Sequence, residues 1–232
     1  MPLSQPRRAG ARADAAAALA AHEMFSGVDA EAFDHLQRFL NVVGAGKGEA
    51  IFRKGDPGEF MMLIVEGDVK IVSPSGDGKE VLLNLLGKGD IFGEIAMLDG
   101  LPRSADAIAR SDCTLAMLAR RDVLAATERY PSVALNFISF LCRTLRHVSS
   151  HLDDVMFLDV AGRLARAVGR VGRENGVVDL TQQELAQSIG VSRESVNQVL
   201  RAWQFRHLVR LEKGRVIIVD PAAIERLCES AR

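Results

Sequence analysis

A chain of 232 residues, 48% hydrophobic and 25% charged, is long enough for two domains of ordinary size and apolar enough for packed cores, which excludes a largely disordered protein. The formal net charge of −1 is unevenly divided: residues 160–232 carry 12 Lys and Arg against 8 Asp and Glu, the preceding residues 17 against 22, so the C-terminal part is the one suited to a polyanion. Three scattered cysteines (Cys113, Cys142, Cys228) without a CxxC spacing speak against a zinc site or a disulfide framework, and no run of 18 apolar residues occurs. The expectation is a cytoplasmic protein with reduced thiols, no metal and no membrane partner.

Residues 1–23 carry Arg7, Arg8 and Arg12 ahead of Ala15 to Ala18, without the bulky apolar stretch of a secretion signal. They are expected to be a flexible tail. Glycine then concentrates, 12 of the 20 lying between Gly44 and Gly100. Short apolar runs separate them: Ala50–Phe52, Phe60–Val65, Val69–Val72, Val81–Leu86 and Ile91–Phe92, with Ala105–Ile108 and Thr114–Leu118 beyond. Turn chemistry at Asp56-Pro57-Gly58 and Gly76-Asp77-Gly78 punctuates the runs, so residues 24–131 read as a β-sandwich or β-roll.

Within this region Phe92-Gly93-Glu94-Ile95-Ala96 leads to Pro102-Arg103-Ser104-Ala105. Gly93 permits close backbone approach, and Glu94 to Leu98 can form a short helix whose amides face an anion. Arg103 offers a planar fork for phosphate oxygens, Glu94 a carboxylate for a ribose hydroxyl, and Ser104 a hydroxyl near phosphate or base. A second phosphate would be repelled by Glu94, which favours a cyclic monophosphate over a nucleoside triphosphate. Taken singly, Glu94 also suits a helix start and Arg103 a surface ion pair; the surrounding β-roll gives the ligand reading its weight.

After Tyr130-Pro131, Ala134, Ile138, Leu141, Leu145, Val148, Leu152 and Val155 follow spacings of 4 and 3 with no internal Gly or Pro. This heptad seam predicts one long helix over 132–158, capped by Ser132, that forms a parallel homodimer or else packs on its own domain. His147 and His151 stand at i, i+4, a spacing that can hold a metal, but solvated surface histidines are the reading here.

Asp159 is placed to cap a helix from Val160 to Val171. Thr181-Gln182-Gln183-Glu184 has capping-box spacing, Ile189-Gly190-Val191 makes a tight turn, and Ser192 can cap a second helix from Arg193 to about Phe205. Val196, Val199, Leu200 and Trp203 fall on one face of that helix; Arg193, Glu194, Asn197, Gln198 and Arg201 fall on the other, with side chains that can read major-groove base edges. The runs Leu208–Leu211 and Val216–Val219 around Lys213-Gly214 resemble the wing of a winged helix, where Arg206, Arg210, Lys213 and Arg215 either reach phosphate or simply solvate a hairpin.

Together these stretches resemble the cAMP receptor protein/FNR family of transcription regulators from about Met24 onward. FGEIAMLDGLPRSA is similar to the family's phosphate-binding cassette; FLDVAGRLA and LTQQELAQSIGVSRESVNQVLR resemble its hinge and helix-turn-helix. The resemblance implies an α+β fold: a double-stranded β-roll over 24–131, a dimerisation helix over 132–158 and a winged helix-turn-helix over 159–232. It implies a cyclic nucleotide, cAMP or cGMP, as allosteric ligand held by Gly93, Glu94, Ile95, Ala96, Arg103 and Ser104. It also implies a homodimer on double-stranded DNA read from Thr181, Ser192, Arg193, Glu194, Asn197, Gln198 and Arg201, with RNA polymerase as a further partner. In cAMP-responsive members two consecutive hydroxyl residues of the dimer helix touch adenine. The corresponding positions here are Val148 and Ser149, and the valine leaves cGMP open. Iron–sulfur members carry N-terminal cysteines, which residues 1–35 lack. No GK[ST] P-loop, nucleophile–histidine spacing or carboxylate cluster suggests an enzyme. Open alternatives are a family member with another ligand or none, or a regulatory cyclic-nucleotide module that does not bind DNA.

Overall fold

The computed structural model describes residues 10–74, 80–173 and 175–230, apart from the side chains of residues 147, 151, 154, 155, 229 and 230. The chain divides into two compact units, Met1–Thr144 and Leu145–Arg232.

The first unit is built on two four-stranded antiparallel sheets. One has the order β1 (Asn41–Ala45), β8 (Cys113–Ala119), β3 (Phe60–Glu66), β6 (Ile91–Phe92); the other β2 (Ala50–Phe52), β7 (Asp106–Ala109), β4 (Val69–Pro74), β5 (Glu80–Leu86). Successive side chains of a strand point to opposite faces, and β3 uses both. Met62 and Ile64 enter the apolar layer that also holds Phe52, Val69, Phe92 and Leu115. Met61, Leu63 and Val65 point the other way, into a second layer closed by helices. The second layer receives Ala15 and Leu19 from α1 (Ala11–Ala21), and Ala32 and Leu36 from α2 (Ala30–Gln37). Val123 and Ala126 from α4 (Arg120–Arg129), and Val133 and Phe137 from α5 (Pro131–Phe157), complete it. Burial on both faces explains why this strand reads as an unbroken apolar run.

Three expectations change. Of the tail expected over 1–23, residues 1–9 lie outside the described residues, and Ala11–Ala21 is a packed helix with Ala15 and Leu19 fully buried; small alanines let it lie close against the sheet. Strand β1 went unread because Asn41-Val42-Val43-Gly44-Ala45 opens on Asn and contains Gly, both poor strand formers. Ser132 does not cap the long helix: Pro131 is its first residue, where a missing N–H does no harm, and the Ser132 hydroxyl donates to Asp29 Oδ2 at 2.9 Å. The turn read at 76–78 lies outside the described residues.

Along α5, Val133 and Phe137 are buried while Leu135, Ile138, Leu145, Val148 and Leu152 are exposed. The second unit continues with α6 (Val160–Val171), β9 (Val177–Val178), α7 (Gln182–Ile189), α8 (Arg193–Phe205), β10 (Val209–Glu212), β11 (Arg215–Ile218) and α9 (Pro221–Ser230). Asp159 caps α6, its Oδ1 accepting from Gly162 N at 2.7 Å. Leu164, Leu185, Ala186, Val196, Leu200 and Trp203 are buried in this unit, and β9 joins the β10–β11 hairpin as a third strand.

Candidate ligand and nucleic-acid sites

The ligand candidate is organised by one arginine. Arg103 is 2% exposed, although it carries a permanent charge. Its Nη1 donates to the Gly93 carbonyl at 2.6 Å and its Nη2 to the Phe60 carbonyl at 2.7 Å. The guanidinium carbon sits 4.1 Å from the Phe52 ring centre and 4.5 Å from that of Phe60, so aromatic faces hold its plane. Its backbone is clamped as well: Arg103 N donates to Asp56 O, and Gly55 N donates to Arg103 O, both at 2.8 Å. The buried Nε has no hydrogen-bond partner, and among the described residues no carboxylate comes within ion-pair distance. A buried donor left unsatisfied costs about 1–3 kcal/mol, more when charged. A buried, fixed guanidinium with an idle donor is chemically suited to an anionic group.

Gly93 adopts φ 77°, and a Cβ there would stand 2.7 Å from Arg103 Nη1. Only glycine gives both the left-handed turn and room for the guanidinium. It opens α3 (Glu94–Asp99), in which Glu94 and Ala96 are buried while Ile95 faces out, 48% exposed. Burial pushes the Glu94 carboxyl above its usual range, against the opposing pull of its own backbone N–H and of the Arg103 charge. Burial likewise lowers Arg103, opposed by Glu94, Asp56 and Glu59. Thus Gly93, Glu94, Ala96 and Arg103 come together, and Ser104 lies exposed beside them. Val148 and Ser149 are exposed on α5, in the second unit.

Sequence reasoning missed Gly58, Phe52 and Phe60. A Cβ at Gly58 would collide with the backbone carbonyl of Ala96, so this glycine sets how closely the Asp56-Pro57-Gly58 turn meets α3. The turn was legible, but its partner was not. The aromatic pair read as ordinary strand residues.

In the second unit, Thr181 Oγ1 accepts from Glu184 N at 3.2 Å while Glu184 Oε2 accepts from Thr181 N at 2.7 Å, a complete capping box for α7. Gly190 takes the left-handed conformation that ends α7. Ser192 Oγ accepts from Ser195 N at 3.1 Å and starts α8. Both hydroxyls are therefore engaged in capping. Val196, Leu200 and Trp203 anchor α8; Arg193, Glu194, Gln198 and Arg201 are exposed and Asn197 is half-buried. A groove of about 390 Å³ runs from Thr181, Gln182 and Gln183 past Arg193 to the hairpin tip at Lys213 and Arg215. Glu212 accepts from Arg215 Nε at 2.9 Å and forms an ion pair with Arg210 at 3.3 Å, which restrains two of the four wing cations; Arg206 and Lys213 are exposed.

Comparison with known proteins gives two family matches: residues 43–130 to the cyclic nucleotide-binding domain, and residues 160–227 to the Crp-like helix-turn-helix domain. Over 223 residues the chain is 34% identical to the CRP-like cAMP-activated global transcriptional regulator of Mycobacterium tuberculosis, covering 92% of this chain and 98% of that one. It is 37% identical over 183 residues to the Cyclic AMP receptor protein of Thermus thermophilus, covering 78% and 85%. The solved structure of FixK2 from Bradyrhizobium japonicum superposes with a TM-score of 0.74 at 18% identity, over 81% of this chain and 96% of that one, a likeness of fold.

Proposed function

Because the chain belongs to the cAMP receptor protein/FNR family of transcription regulators, which are not enzymes, we propose that it is a cyclic-nucleotide-responsive, DNA-binding regulator that works as a homodimer. The observation that carries the ligand half is Arg103, buried, stacked on aromatic rings and with its Nε lacking a hydrogen-bond partner. In this reading the cyclic phosphate takes the free donors of Arg103 together with amides at the start of α3 and the Ser104 hydroxyl. Glu94 accepts from the ribose 2′-OH, with Gly93, Ile95 and Ala96 shaping the wall. A valine at position 148 offers no hydrogen bond to a base, so this reading covers cGMP as well as cAMP, Ser104 being compatible with syn-guanine.

The DNA half rests on the exposed face of α8. Arg193 and Glu194 stand in its first turn, the end that enters the major groove, with Asn197, Gln198 and Arg201 behind them. Thr181 and Ser192 hold the two helix starts beside the phosphates. The apolar seam from Ile138 to Leu152, exposed in the single chain, supports a second copy as partner. Two recognition helices would then meet successive major grooves about 34 Å apart. RNA polymerase is the partner such a bound regulator would engage. Among the described residues no helix is long and apolar enough to cross a membrane.

Titration calorimetry with cAMP, cGMP and cyclic di-GMP tests the ligand. Heat with one of the first two is expected, and silence with both overturns the reading. Selection of binding sites from random duplexes tests the DNA half. Arg193→Ala is expected to lose about 1–3 kcal/mol and to relax one base position; an unchanged motif overturns the role of Arg193.

A further inference from the structure

Helix α8 carries its outward face one turn beyond the residues assigned to base reading. Glu194, Gln198 and Arg201 succeed one another at spacings of 4 and 3, and a further step of 4 reaches Phe205, the last residue of the helix. With 3.6 residues per turn, Phe205 stands within about 20° of Glu194 and Gln198 and roughly 160° from Trp203, which anchors the opposite side. Its side chain is 87% exposed, the most open of the large apolar side chains among the described residues. A phenyl ring left in water forgoes the free energy of its burial.

The helix end holds that ring outward. His207 takes φ 58°, its N–H donating to the Gln204 carbonyl at 3.0 Å, and Leu208 N donates to the Trp203 carbonyl at 2.9 Å. This left-handed stop closes α8 directly behind Phe205, and the buried Trp203 and Leu208 fix it from below. The ring is thus presented from a fixed backbone on the side away from the core. Arg201, one turn earlier, and Arg206, next to it, are exposed, so its surroundings favour a polyanion over an apolar protein face. On the major-groove edges of DNA, the apolar group is the C5-methyl of thymine.

We infer that Phe205 is a specificity-determining residue that packs on a thymine methyl at the edge of the DNA site. The inference rests on α8 as the reading helix. At 1.5 Å per residue the ring lies roughly 18 Å along α8 from Arg193, so that thymine falls within about five base pairs of the pair Arg193 reads. Binding sites are selected from random duplexes by the full chain and by Phe205→Ala, with cAMP and cGMP both present. The parent is expected to select a thymine there, and Phe205→Ala to lose that preference while keeping the Arg193 position. Uracil in place of that thymine removes only the methyl. It should weaken the parent about three- to fivefold, the worth of one methyl-sized apolar contact, and leave Phe205→Ala unaffected. The dependence of affinity on salt should be the same in both proteins, since an apolar contact releases no counterion. A motif that responds to Arg193→Ala but not to Phe205→Ala overturns this contact and leaves the DNA reading standing; no motif from the parent overturns both. Equal affinity of the parent for uracil and thymine duplexes overturns the contact as well. So does a Phe205→Ala chain that turns monomeric in sedimentation velocity, which would make the ring a contact between copies. The uracil series needs only the parent, so it decides even if the variant fails to fold.

Discussion

At the scale of single residues, the ligand site poses a conflict that binding would resolve. Arg103 is buried with two protein carbonyls as partners and an idle Nε. Removing the partner of a buried phosphate costs about 2–5 kcal/mol, so Arg103→Ala is expected to abolish cyclic-nucleotide heat at micromolar ligand; normal binding would place the phosphate elsewhere. Arg103→Lys keeps the charge but not the planar fork, and should bind at an intermediate level. Glu94 makes a prediction of opposite sign for the free protein. Burial raises its carboxyl, so folding favours the protonated form. The associated stability is complete below the ordinary Glu value of about 4.3 and is lost as pH rises through the higher folded value. Glu94→Gln should therefore melt higher than the parent protein at pH 7 in thermal scans without ligand, with the gain vanishing toward pH 4. The same variant should lose roughly 1–3 kcal/mol of ligand affinity by calorimetry. A parent that melts higher at pH 7 would contradict the burial argument. The sequence exposed Glu94 and Arg103 because charged residues beside a glycine in a β-rich stretch are conspicuous. Phe52, Phe60 and Gly58 were hidden because their roles arise only when strands and turns distant in sequence meet, and an aromatic in a strand has no sign that says what it stacks upon.

At the scale of elements, α5 divides its apolar residues between two tasks. Val133 and Phe137 close the helical layer of the first unit, whereas Ile138, Leu145 and Leu152 recur every seven residues in the open. A charge at such a position is desolvated if two copies meet along it and is harmless if they do not. Leu152→Lys is accordingly expected to convert the protein to monomer in sedimentation velocity, with a far-UV spectrum like the parent's; a persistent dimer would remove the seam from the proposal. The helices with explicit start and stop signals were legible almost to the residue, as with Asp159, Thr181, Gly190 and Ser192, because a cap is a local hydrogen bond between near neighbours. Helices α1, α2 and α4 were not. Their apolar faces are narrow and held by small residues such as Ala15, Ala32 and Ala126, so burial comes from close approach to a sheet rather than from a stripe that periodicity detects. The strands fared well where both faces are buried, as in β3, and poorly where a strand opens polar, as in β1.

At the scale of the whole molecule, a regulator needs its two sites to share free energy, and linkage makes that demand quantitative. If a cyclic nucleotide raises affinity for an operator by some factor, the operator must raise affinity for the nucleotide by the same factor. A coupling of about 1–3 kcal/mol, or roughly 5–150-fold, is the usual size. Fluorescence anisotropy of a labelled operator, measured with and without saturating nucleotide, gives one side; calorimetry of nucleotide into free and operator-bound protein gives the other. The two factors should agree, and both should fall to one in Arg103→Ala, since a ligand that does not bind shifts no equilibrium. Tight binding of both partners with both factors near one would leave a protein with a nucleotide site and a DNA site but no regulatory connection. Leu152→Lys separates the remaining possibilities. If the connection depends on the dimer, that variant should still bind nucleotide at the β-roll through Arg103, while its operator affinity drops and no longer responds to ligand. Each monomer then offers DNA only one recognition helix, and a half-site has no partner to be brought into register.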